Sequence, residues 1–378
     1  MRIGVDLRPF LSRETGVGVY LRNLLFALAR IDRTNAYFLF SSSWKDRFPR
    51  GKIPPFASLA FRDLRIPVKV VNFFWQKVGW PSFDAVFGAG MDLTHSPTPL
   101  PLPTRGKKIV TVYDLFFLDT PGKADREARR VFSRRAASAL RRADGILTIS
   151  EFTRASILER FEINPDKIEV TPLGVDAAFF EDAGPAALEE ARRRLDLPSR
   201  FLLFVGAAEP RKNLVALIEA LDRVHRGGEK IPLVLAGREG NDSVHVRSAV
   251  ARLGLESSVR LLGYVPDADV RSVIKLATLL VVPSLCEGFG LPLLEAMASG
   301  TPAAVSRAGA LPEVGGDAAA YFDPGDAEEI ALTILGLLGD EAGRLALGRA
   351  GRARAALFSW DAAARRTLAF YEKIGGGR

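Results

Sequence analysis

The sequence predicts an α/β protein with two doubly wound domains, and three observations support that fold class. The chain has 378 residues, too many for one ordinary core. Short apolar strands alternate with amphipathic helices along most of its length. This alternation is interrupted by an Ala-, Glu- and Arg-rich stretch at residues 184–198 and then begins again. We therefore expect one domain over residues 1–178 and a second over residues 179–358.

The first domain is expected to open with a strand at Arg2–Leu7 and a helix at Val19–Ala29, where leucines recur at helical spacing. Further buried strands are predicted at Ala36–Ser41, Lys108–Val112 and Gly145–Ile149. The composition of Asp125–Arg142 indicates a strongly basic helix.

The second domain repeats the alternation after the joint near residue 180. Its predicted strands are Phe201–Val205, Pro232–Ala236, Val259–Leu262, Leu279–Val282 and Pro302–Ser306. Its clearest predicted helices are Leu214–Val224 and Pro292–Ser299. Ligands of such folds bind at the carboxyl ends of the strands, so a cleft between two facing domains is expected.

Composition excludes several kinds of protein. A single cysteine, Cys286, rules out an internal disulfide framework and a multi-cysteine zinc site, and three histidines make a histidine-rich metal site improbable. No run of 18 apolar residues predicts a membrane span. No export leader precedes the first strand, so we expect a cytoplasmic protein.

Charge is unevenly distributed. Residues 1–175 hold 28 Lys and Arg against 17 Asp and Glu, a net charge of +11, whereas the remaining residues hold 24 against 27. The basic half fits an anionic partner such as nucleic acid, an acidic membrane or a phosphorylated substrate, and it equally fits a solvated basic surface. The segment Phe56–Phe83 is aromatic and basic together, which fits a lipid interface, an acceptor contact or a buried surface helix.

Two glycine-rich loops could approach phosphate groups. Gly16 and Gly18 open the first long helix, but Leu21 stands where a dinucleotide fingerprint needs a third glycine. The loop from Gly206 to Asn213 places Arg211 and Lys212 before a helix N-terminus, where the helix dipole disfavours cations. An anion held between this pair and the backbone amides would explain their position, and the pair suits a diphosphate.

The stretch Cys286–Gly300 is the most informative part of the chain. Glu287 lies in a glycine loop, where no local structural reason calls for a carboxylate. Glu295 follows eight residues later on a predicted helix, where it could equally be a routine acid of a first turn. Together with the cation pair, these carboxylates suit sugar hydroxyls beside a phosphate.

The motif Leu285–Pro302, with its two glutamates, resembles the signature of the retaining glycosyltransferases of family 4, also called group 1. The loop Val205–Leu214 is similar to the phosphate-binding loop of that family. Further similar stretches are Thr148–Thr153, Pro172–Asp176, Leu262–Asp267, Leu311–Val314 and Phe358–Asp361. The resemblance therefore covers nearly the whole chain, and the branch it is most similar to is that of bacterial mannosyltransferase-like enzymes.

The resemblance implies the GT-B fold, with two Rossmann-like domains facing a central cleft and a last helix, residues 359–376, that crosses back to the first, acceptor-binding domain. It implies that Arg211 and Lys212 neutralise the leaving diphosphate, that Glu287 contacts the transferred sugar and that Glu295 holds the ribose. Further donor contacts carried over by position are Gly16, Gly18, Gly206, Gly263, Tyr264, Val265, Gly288, Phe289, Gly290 and Leu291.

The acceptor side of the site shows one departure from the family. The family often has His before Asp in the motif that here reads Tyr113-Asp114, while His95 stands at another position typical of the branch. Tyr113 can donate a hydrogen bond but supplies no cation near neutral pH. We place His95, Tyr113 and Asp114 on the acceptor side.

The resemblance also implies a mechanism and its substrates. The sequence offers no convincing carboxylate nucleophile, so retention is expected through same-face substitution assisted by the leaving group. Asp267 and Asp269 form an Asp-x-Asp triplet, but we interpret it as a helix cap, and no metal or other cofactor is expected. The donor is expected to be GDP-mannose or a UDP-hexose, and the acceptor a glycan or a polyprenyl-diphosphate-linked glycan in cell-surface polysaccharide synthesis.

Three other functions and one further partner are compatible with parts of the sequence. A GT-B nucleotide-sugar epimerase would act without an acceptor, and a two-lobed sugar-binding protein would need an export signal. An NAD-dependent oxidoreductase is disfavoured by the broken glycine fingerprint. Peripheral contact with an anionic membrane at the inner face of the plasma membrane is a hypothesis drawn from the basic half, and no nucleic-acid partner is expected.

Overall fold

The computed structural model describes residues 1–11, 16–118 and 136–376, and these form two compact units. Unit 1 comprises Met1–Gly174 together with the C-terminal segment that begins at Ser359. Unit 2 comprises Val175–Phe358. The chain thus passes between units at residues 174–175, a little before the expected joint at 178–179.

Unit 1 is built on a parallel sheet of seven strands in the order β3-β2-β1-β4-β5-β6-β7. The strands are β1 Arg2–Asp6, β2 Ala36–Ser42, β3 Leu59–Leu64, β4 Leu93–Ser96, β5 Lys107–Val112, β6 Gly145–Thr148 and β7 Ile168–Val170. The predicted strands of this domain are present, whereas β3, β4 and β7 were not predicted. β4 has a single apolar residue, β7 is only three residues long, and Arg62 and Asp63 interrupt the apolar residues of β3, which hides the pattern of a strand.

The helices of unit 1 are α1 Arg8–Leu11, α2 Gly16–Ile31, α3 Val68–Phe73, α4 Phe83–Phe87, α5 at residues 136–142, α6 Glu151–Arg160 and the C-terminal helix, Trp360–Gly375. A π-helical turn, Phe74–Val78, continues α3. The predicted basic helix Asp125–Arg142 lies within the described residues only over 136–142. Short 3-10 turns lie at Arg50–Lys52, Phe116–Leu118 and Pro165–Lys167.

The last helix packs on the first unit, as expected. It contacts α2 and β4 and buries Trp360, Phe370 and Tyr371. The helix packs closely at Gly174, where only glycine fits, because a Cβ there would lie 2.1 Å from the Trp360 backbone nitrogen. Ser359 caps the helix by accepting a hydrogen bond from the Ala362 N–H.

Unit 2 is built on a parallel sheet of six strands in the order β10-β9-β8-β11-β12-β13. The strands are β8 Leu202–Val205, β9 Leu233–Ala236, β10 Val259–Gly263, β11 Leu279–Val282, β12 Ala303–Ser306 and β13 Ala320–Phe322. Its helices are α7 Pro185–Arg194, α8 Leu214–Arg226, α9 Ser243–Arg252, α10 Asp267–Leu276, α11 Leu291–Ser299, α12 Leu311–Gly315, α13 Ala327–Gly339 and α14 Glu341–Ala355, with 3-10 turns at Ala177–Phe179, Pro210–Lys212 and Gly316–Ala318. The C-terminal helix of unit 1 is α15.

Both sheets reverse their strand order at one point. In unit 1, β1 lies between β2 and β4, and in unit 2, β8 lies between β9 and β11. In open α/β sheets the crevice outside the carboxyl ends of the strands at such a switch point is the usual ligand site. Functional side chains are therefore expected in the loops that follow β1 and β4 in unit 1 and β8 and β11 in unit 2.

Candidate functional site

The switch point of unit 2 brings the predicted cation pair to the first predicted glutamate. β8 is followed by the loop that carries Arg211 and Lys212, and β11 by the loop that carries Glu287. The two strands are neighbours, since Leu279 pairs with Leu202. Residues more than 70 positions apart therefore meet at one edge of the sheet.

The Glu287 carboxylate bridges both cations. Its Oε1 lies 2.5 Å from the Lys212 Nζ, and its Oε2 accepts a hydrogen bond of 3.1 Å from the Arg211 Nη1. The Ser284 hydroxyl donates to Oε1 at 2.7 Å, and the Arg211 Nε donates to Glu209 at 2.9 Å. Lys212 and Glu287 are buried, whereas the Arg211 side chain is 26% exposed. The pair is therefore held in fixed positions, with Arg211 nearer to solvent.

The electrostatics keep Glu287 ionised. Burial by itself raises the pKa of this carboxyl, but the charges of Lys212 and Arg211 and the hydrogen bonds from Lys212 and Ser284 outweigh it, so the net pKa lies below its ordinary value. Glu287 contacts both members of the cation pair and holds the Lys212 side chain in a buried position. The charge of Lys212 is then available to stabilise an anion without rearrangement.

Two backbone features hold the loops together. Asn213 has a left-handed backbone, φ 56°, and its side-chain amide donates to the carbonyl oxygens of Pro283 and Pro324 at 3.2 and 2.7 Å. The Leu285 N–H donates to the Arg211 carbonyl at 2.8 Å. The cation pair itself lies in the 3-10 turn Pro210–Lys212, one residue before α8 begins.

The glycine loop after Glu287 needs its small residues. Gly290 has φ +103°, and a Cβ there would lie 2.6 Å from the Leu311 side chain. Gly309, with φ +65°, passes so close to Glu287 that a Cβ would lie 2.4 Å from the Glu287 carbonyl oxygen. Gly288 and Phe289 are buried within this loop and Leu291 begins α11.

A cavity of about 260 Å³ lies beside the cluster, at the carboxyl ends of β8, β9 and β10. Two predicted donor residues, Gly206 and Gly263, line it. Of the other two predicted here, Val265 is buried, and Tyr264 is exposed with the Arg238 guanidinium 5.1 Å from its ring centroid. An aromatic ring and a cation beside a cavity can hold a nucleobase and a phosphate.

Sequence reasoning missed the contribution of β9 to this cavity. Gly237, Arg238 and Arg247 line it, and a Cβ on Gly237 would lie 1.8 Å from the Gly206 carbonyl oxygen. The signal was a Gly-Arg pair directly after a buried strand, in the same position relative to β9 as Gly206 has relative to β8. The backbones at the ends of β8 and β9 lie too close together for a side chain at Gly237, and the cavity lies beside Gly206 and Gly237.

Glu295 lies on α11 and is half-buried. Burial, together with the negative charges of Asp267 and Asp176, raises the pKa of Glu295 to about 8. Its carboxyl is therefore protonated at neutral pH, and it can both donate and accept a hydrogen bond.

Replacing Glu295 with Gln is expected to raise the melting temperature at pH 8 and to change it little at pH 5. The unfolded chain ionises near the ordinary pKa of 4.5, whereas the folded chain holds the proton until about pH 8, so wild-type stability falls as the pH rises between these values. A neutral amide removes that loss. Thermal unfolding at both pH values tests this, with the exposed Glu328→Gln as the control, and parallel pH profiles for wild type and Glu295→Gln would contradict it.

The Asp-x-Asp triplet has a different role from the predicted cap. The helix α10 already begins at Asp267, and both oxygens of Asp269 accept hydrogen bonds from Arg194, at 2.6 and 2.8 Å. Over residues 1–11, 16–118 and 136–376, no group of three or more His, Cys, Asp and Glu side chains is placed to hold a metal ion.

The remaining predicted residues lie in unit 1. Gly16 is exposed at the start of α2 and Gly18 is buried. The Tyr113 hydroxyl donates to the Pro97 carbonyl at 3.0 Å, and Asp114 accepts from the Phe116 N–H at 3.2 Å. Both are partly exposed.

His95, the third residue predicted on the acceptor side, is a buried residue of unit 1. It is fully buried, with Nδ1 2.6 Å from the Tyr371 hydroxyl and Nε2 2.7 Å from the Thr111 hydroxyl. Burial lowers the pKa of His95 to about 3, so the ring is neutral. It ties β4 to β5 and to α15, which is a structural role.

Comparison with known proteins matches both halves of the chain to one family. The family model described as "Glycosyl transferases group 1" matches residues 188–354, and "Glycosyltransferase Family 4" matches residues 15–179. The O-antigen chain mannosyltransferase B of Escherichia coli is 33% identical over 275 residues, which are 72% of each chain. The MMP α-(1→4)-mannosyltransferase of Mycolicibacterium hassiacum is 36% identical over 60% of this chain, and the match spans 54% of that protein.

Solved structures share the fold over the full length. Sucrose-phosphate synthase from Thermosynechococcus elongatus gives a TM-score of 0.80 with 22% identity and covers 100% of both chains. Anabaena HepE in complex with UDP-glucose gives a TM-score of 0.75 with 16% identity and covers 100% of both chains. The predicted GT-B fold is thereby confirmed.

The epimerase, sugar-binding and oxidoreductase alternatives are not favoured by these matches. No described helix combines the length and apolar character needed to cross a membrane. Two family models that together match most of the sequence, and a relative at 33% identity matched over 72% of its length, agree with the signature motifs and with the fold. The chain belongs to family 4 of the glycosyltransferases, the group 1 enzymes, and is a hexose-transferring enzyme.

Proposed function

We propose that this enzyme transfers mannose from GDP-mannose to a glycan, with retention of the anomeric configuration. The observation that carries the proposal is the Lys212–Glu287–Arg211 cluster at the switch point of unit 2, beside a cavity large enough for part of a nucleotide. The names of two relatives, both mannosyltransferases, support mannose as the sugar. A UDP-hexose is the second candidate donor, and the UDP-glucose complex of HepE supports it.

In the proposed reaction the bond between the sugar C1 and the diphosphate oxygen breaks, and a bond from C1 to the acceptor oxygen forms on the same face. Arg211 and Lys212 stabilise the negative charge that develops on the diphosphate, and no metal is needed for this. The acceptor proton passes to the leaving diphosphate. Glu295 holds the ribose hydroxyls, and Glu287 contacts the sugar while it keeps the two cations in place.

The proposed acceptor is a glycan, free or linked to a polyprenyl diphosphate, in the assembly of a cell-surface polysaccharide such as an O-antigen. The name of the Escherichia coli relative supports this setting. A cytoplasmic location fits a nucleotide-sugar donor and belongs to the same proposal.

The test is turnover of a panel of GDP-, UDP-, ADP- and dTDP-sugars, read by mass spectrometry. GDP-mannose is expected to be the preferred donor, and Glu295→Ala is expected to weaken its binding, with the exposed Glu328→Ala as the matched control. Preference for another nucleotide would contradict the proposed donor. Conversion of a donor to its epimer without an acceptor would contradict group transfer.

Peripheral contact with an anionic membrane is the remaining part of the proposal, and one surface supports it. Only two side chains between residues 65 and 80 are buried, Val71 and Trp75, which stand four positions apart and face inwards. The opposite face is apolar and exposed, with Phe73 58% and Trp80 66% accessible. The segment holds three cations, Arg65, Lys69 and Lys77, and no acidic residue.

This outward face, which we call the 65–80 surface, combines aromatic rings with flanking lysines, the composition of interfacial helices. Phe73→Ser with Phe74→Ser is expected to raise the lipid concentration for half-maximal vesicle binding about tenfold. Lys69→Gln with Lys77→Gln is expected to raise it about thirtyfold on phosphatidylglycerol vesicles and little on phosphatidylcholine. Co-sedimentation measures both.

The matched control for the apolar change is Leu332→Ser with Leu345→Ser, two leucines of similar exposure in unit 2. Wild-type binding that does not depend on anionic lipid would contradict membrane contact through charge. Self-association of the wild type that the Phe73 and Phe74 changes abolish, without vesicle binding, would assign the surface to a second copy of the chain instead.

A further inference from the structure

A second cavity, of about 430 Å³, lies in unit 1 at its own switch point. Asp6 ends β1 and Ser96 ends β4, and both line this cavity. The strands are neighbours, because Val5 pairs with His95. The cavity therefore occupies in unit 1 the position that the ion cluster occupies in unit 2.

The floor of the cavity is a preformed ion pair. The Arg8 Nε donates to both oxygens of Asp6, at 2.9 and 3.1 Å, and its Nη2 lies 2.7 Å from the Asp6 Oδ2. The Arg8 Nη1 donates to the Asn72 side-chain oxygen at 2.8 Å, and the guanidinium lies 4.5 Å from the Trp75 ring centroid. The side chains of Arg8 and Asp6 are 8% and 4% exposed. This arrangement fixes the guanidinium plane and its remaining N–H donors.

The charge balance of the cavity disfavours an anion. Arg8 is the one cation among its described lining residues, and Asp6 already neutralises it at close range. Asp46, exposed at the rim, adds a negative charge. The described lining thus has a net charge of −1, whereas the proposed diphosphate site in unit 2 holds a buried lysine and a partly exposed arginine.

The rest of the lining suits hydroxyl groups on an apolar frame. Asn72, Gln76 and Thr98 provide amide and hydroxyl groups, while Val68, Leu100 and Leu102 provide apolar walls. A pyranose ring has this composition, with hydroxyls at its edge and C–H groups on its faces. A group of charge −2 would lose hydration here and gain no unpaired cation among the described residues.

From these observations we infer that the unit 1 cavity binds a neutral sugar unit of the acceptor and discriminates against a sugar unit that itself carries a phosphate, with Asp46 as a specificity-determining residue. The inference rests on the proposed glycan acceptor and names its chemical class at this site. It does not depend on the identity of the donor, so binding of the acceptor probe is measured without any donor.

The probes are methyl α-D-mannopyranoside, which is neutral, and mannose 6-phosphate, and binding to the full chain is followed by saturation-transfer NMR titration. Wild type is expected to prefer the neutral probe at least fivefold, and Gln76→Ala is expected to weaken it about fivefold. Asp46→Lys is expected to strengthen binding of the phosphorylated probe about tenfold. Asp166→Lys is the matched control, since Asp166 is also exposed in unit 1 but lies outside the cavity lining.

Equal or tighter binding of mannose 6-phosphate by wild type would overturn the inference. So would an effect of Asp166→Lys as large as that of Asp46→Lys, since the change would then reflect net charge alone. Absence of binding of both probes also overturns it. If GDP binding fails while the neutral probe binds and Gln76→Ala weakens it, the proposed donor is wrong and the acceptor inference stands.

Discussion

Replacing Lys212 with Ala is expected to lower kcat by about 10²–10³ while leaving the fold of unit 2 intact. The ammonium group is buried and lies 2.5 Å from the Glu287 Oε1, so its charge acts in surroundings where water screens it little. Charge that develops on a leaving diphosphate would lose this stabilisation in the transition state. Steady-state turnover of the preferred sugar nucleotide measures the effect.

The experiment on Lys212→Ala has to distinguish a loss of catalysis from a loss of stability. Lys212→Ala also leaves the buried Glu287 carboxylate with fewer partners, which costs stability by itself. The double variant Lys212→Met with Glu287→Gln removes both charges, so its melting temperature is expected to recover while kcat stays low. Lys230→Ala, an exposed lysine of the same unit, is the control. A kcat within threefold of wild type for Lys212→Ala would contradict the role of the cation pair.

The cation pair and the glutamate loop could be predicted from the sequence because each violates a local rule. Cations before a helix N-terminus and a carboxylate in a glycine loop are unfavourable unless a ligand or a group of opposite charge lies next to them. Such residues can therefore be recognised from the sequence alone. Their direct contact could not be predicted. Arg211 and Glu287 are 76 positions apart, and only the neighbouring positions of β8 and β11 in the sheet bring them together.

Residues that obey local rules were missed for the complementary reason. Arg238 follows a strand as many surface residues do, and only the close approach of Gly237 to the Gly206 carbonyl shows that it lines a cavity. The ion pair of Asp6 and Arg8 was missed because opposite charges two positions apart at the end of a strand are common on protein surfaces. Its role depends on Asn72 and Trp75, which arrive from a different part of the chain.

The order of both sheets follows from the same physical preference. Right-handed crossovers between parallel strands allow a chain to wind outwards in one direction and then return to the centre, which leaves one switch point per sheet. In this protein the switch point of unit 2 holds Arg211 and Lys212 around Glu287, with Glu209 also paired to Arg211, whereas that of unit 1 holds one cation that a carboxylate neutralises. The described lining of the unit 2 cavity holds Arg238 and Arg247 against Glu239, a net charge of +1, whereas the unit 1 lining has −1. The two cavities thus differ in the sign of their charge, as a charged donor and a neutral acceptor sugar would require.

Replacing His95 with Ala is expected to lower the free energy of unfolding by about 3–5 kcal/mol. The imidazole is fully buried, and its two nitrogens are hydrogen-bonded to the Tyr371 and Thr111 hydroxyls, which are buried as well. The truncation leaves a cavity and two hydroxyl groups that each lose a hydrogen bond. Because these bonds connect β4, β5 and α15, the unfolding transition of unit 1 is the one expected to shift. Denaturant titration measures the change.

The same variant decides between the structural role of His95 and its predicted role on the acceptor side. A structural residue changes stability and leaves the acceptor KM of the folded enzyme within about twofold, whereas an acceptor contact raises KM at constant stability. Wild-type stability is also expected to fall as the pH drops from about 6.5 towards 3, because the unfolded chain binds a proton that the buried imidazole does not. His95→Ala should lose this part of the acid sensitivity. The exposed His245→Ala serves as the control, and a raised acceptor KM without loss of stability would restore the acceptor role.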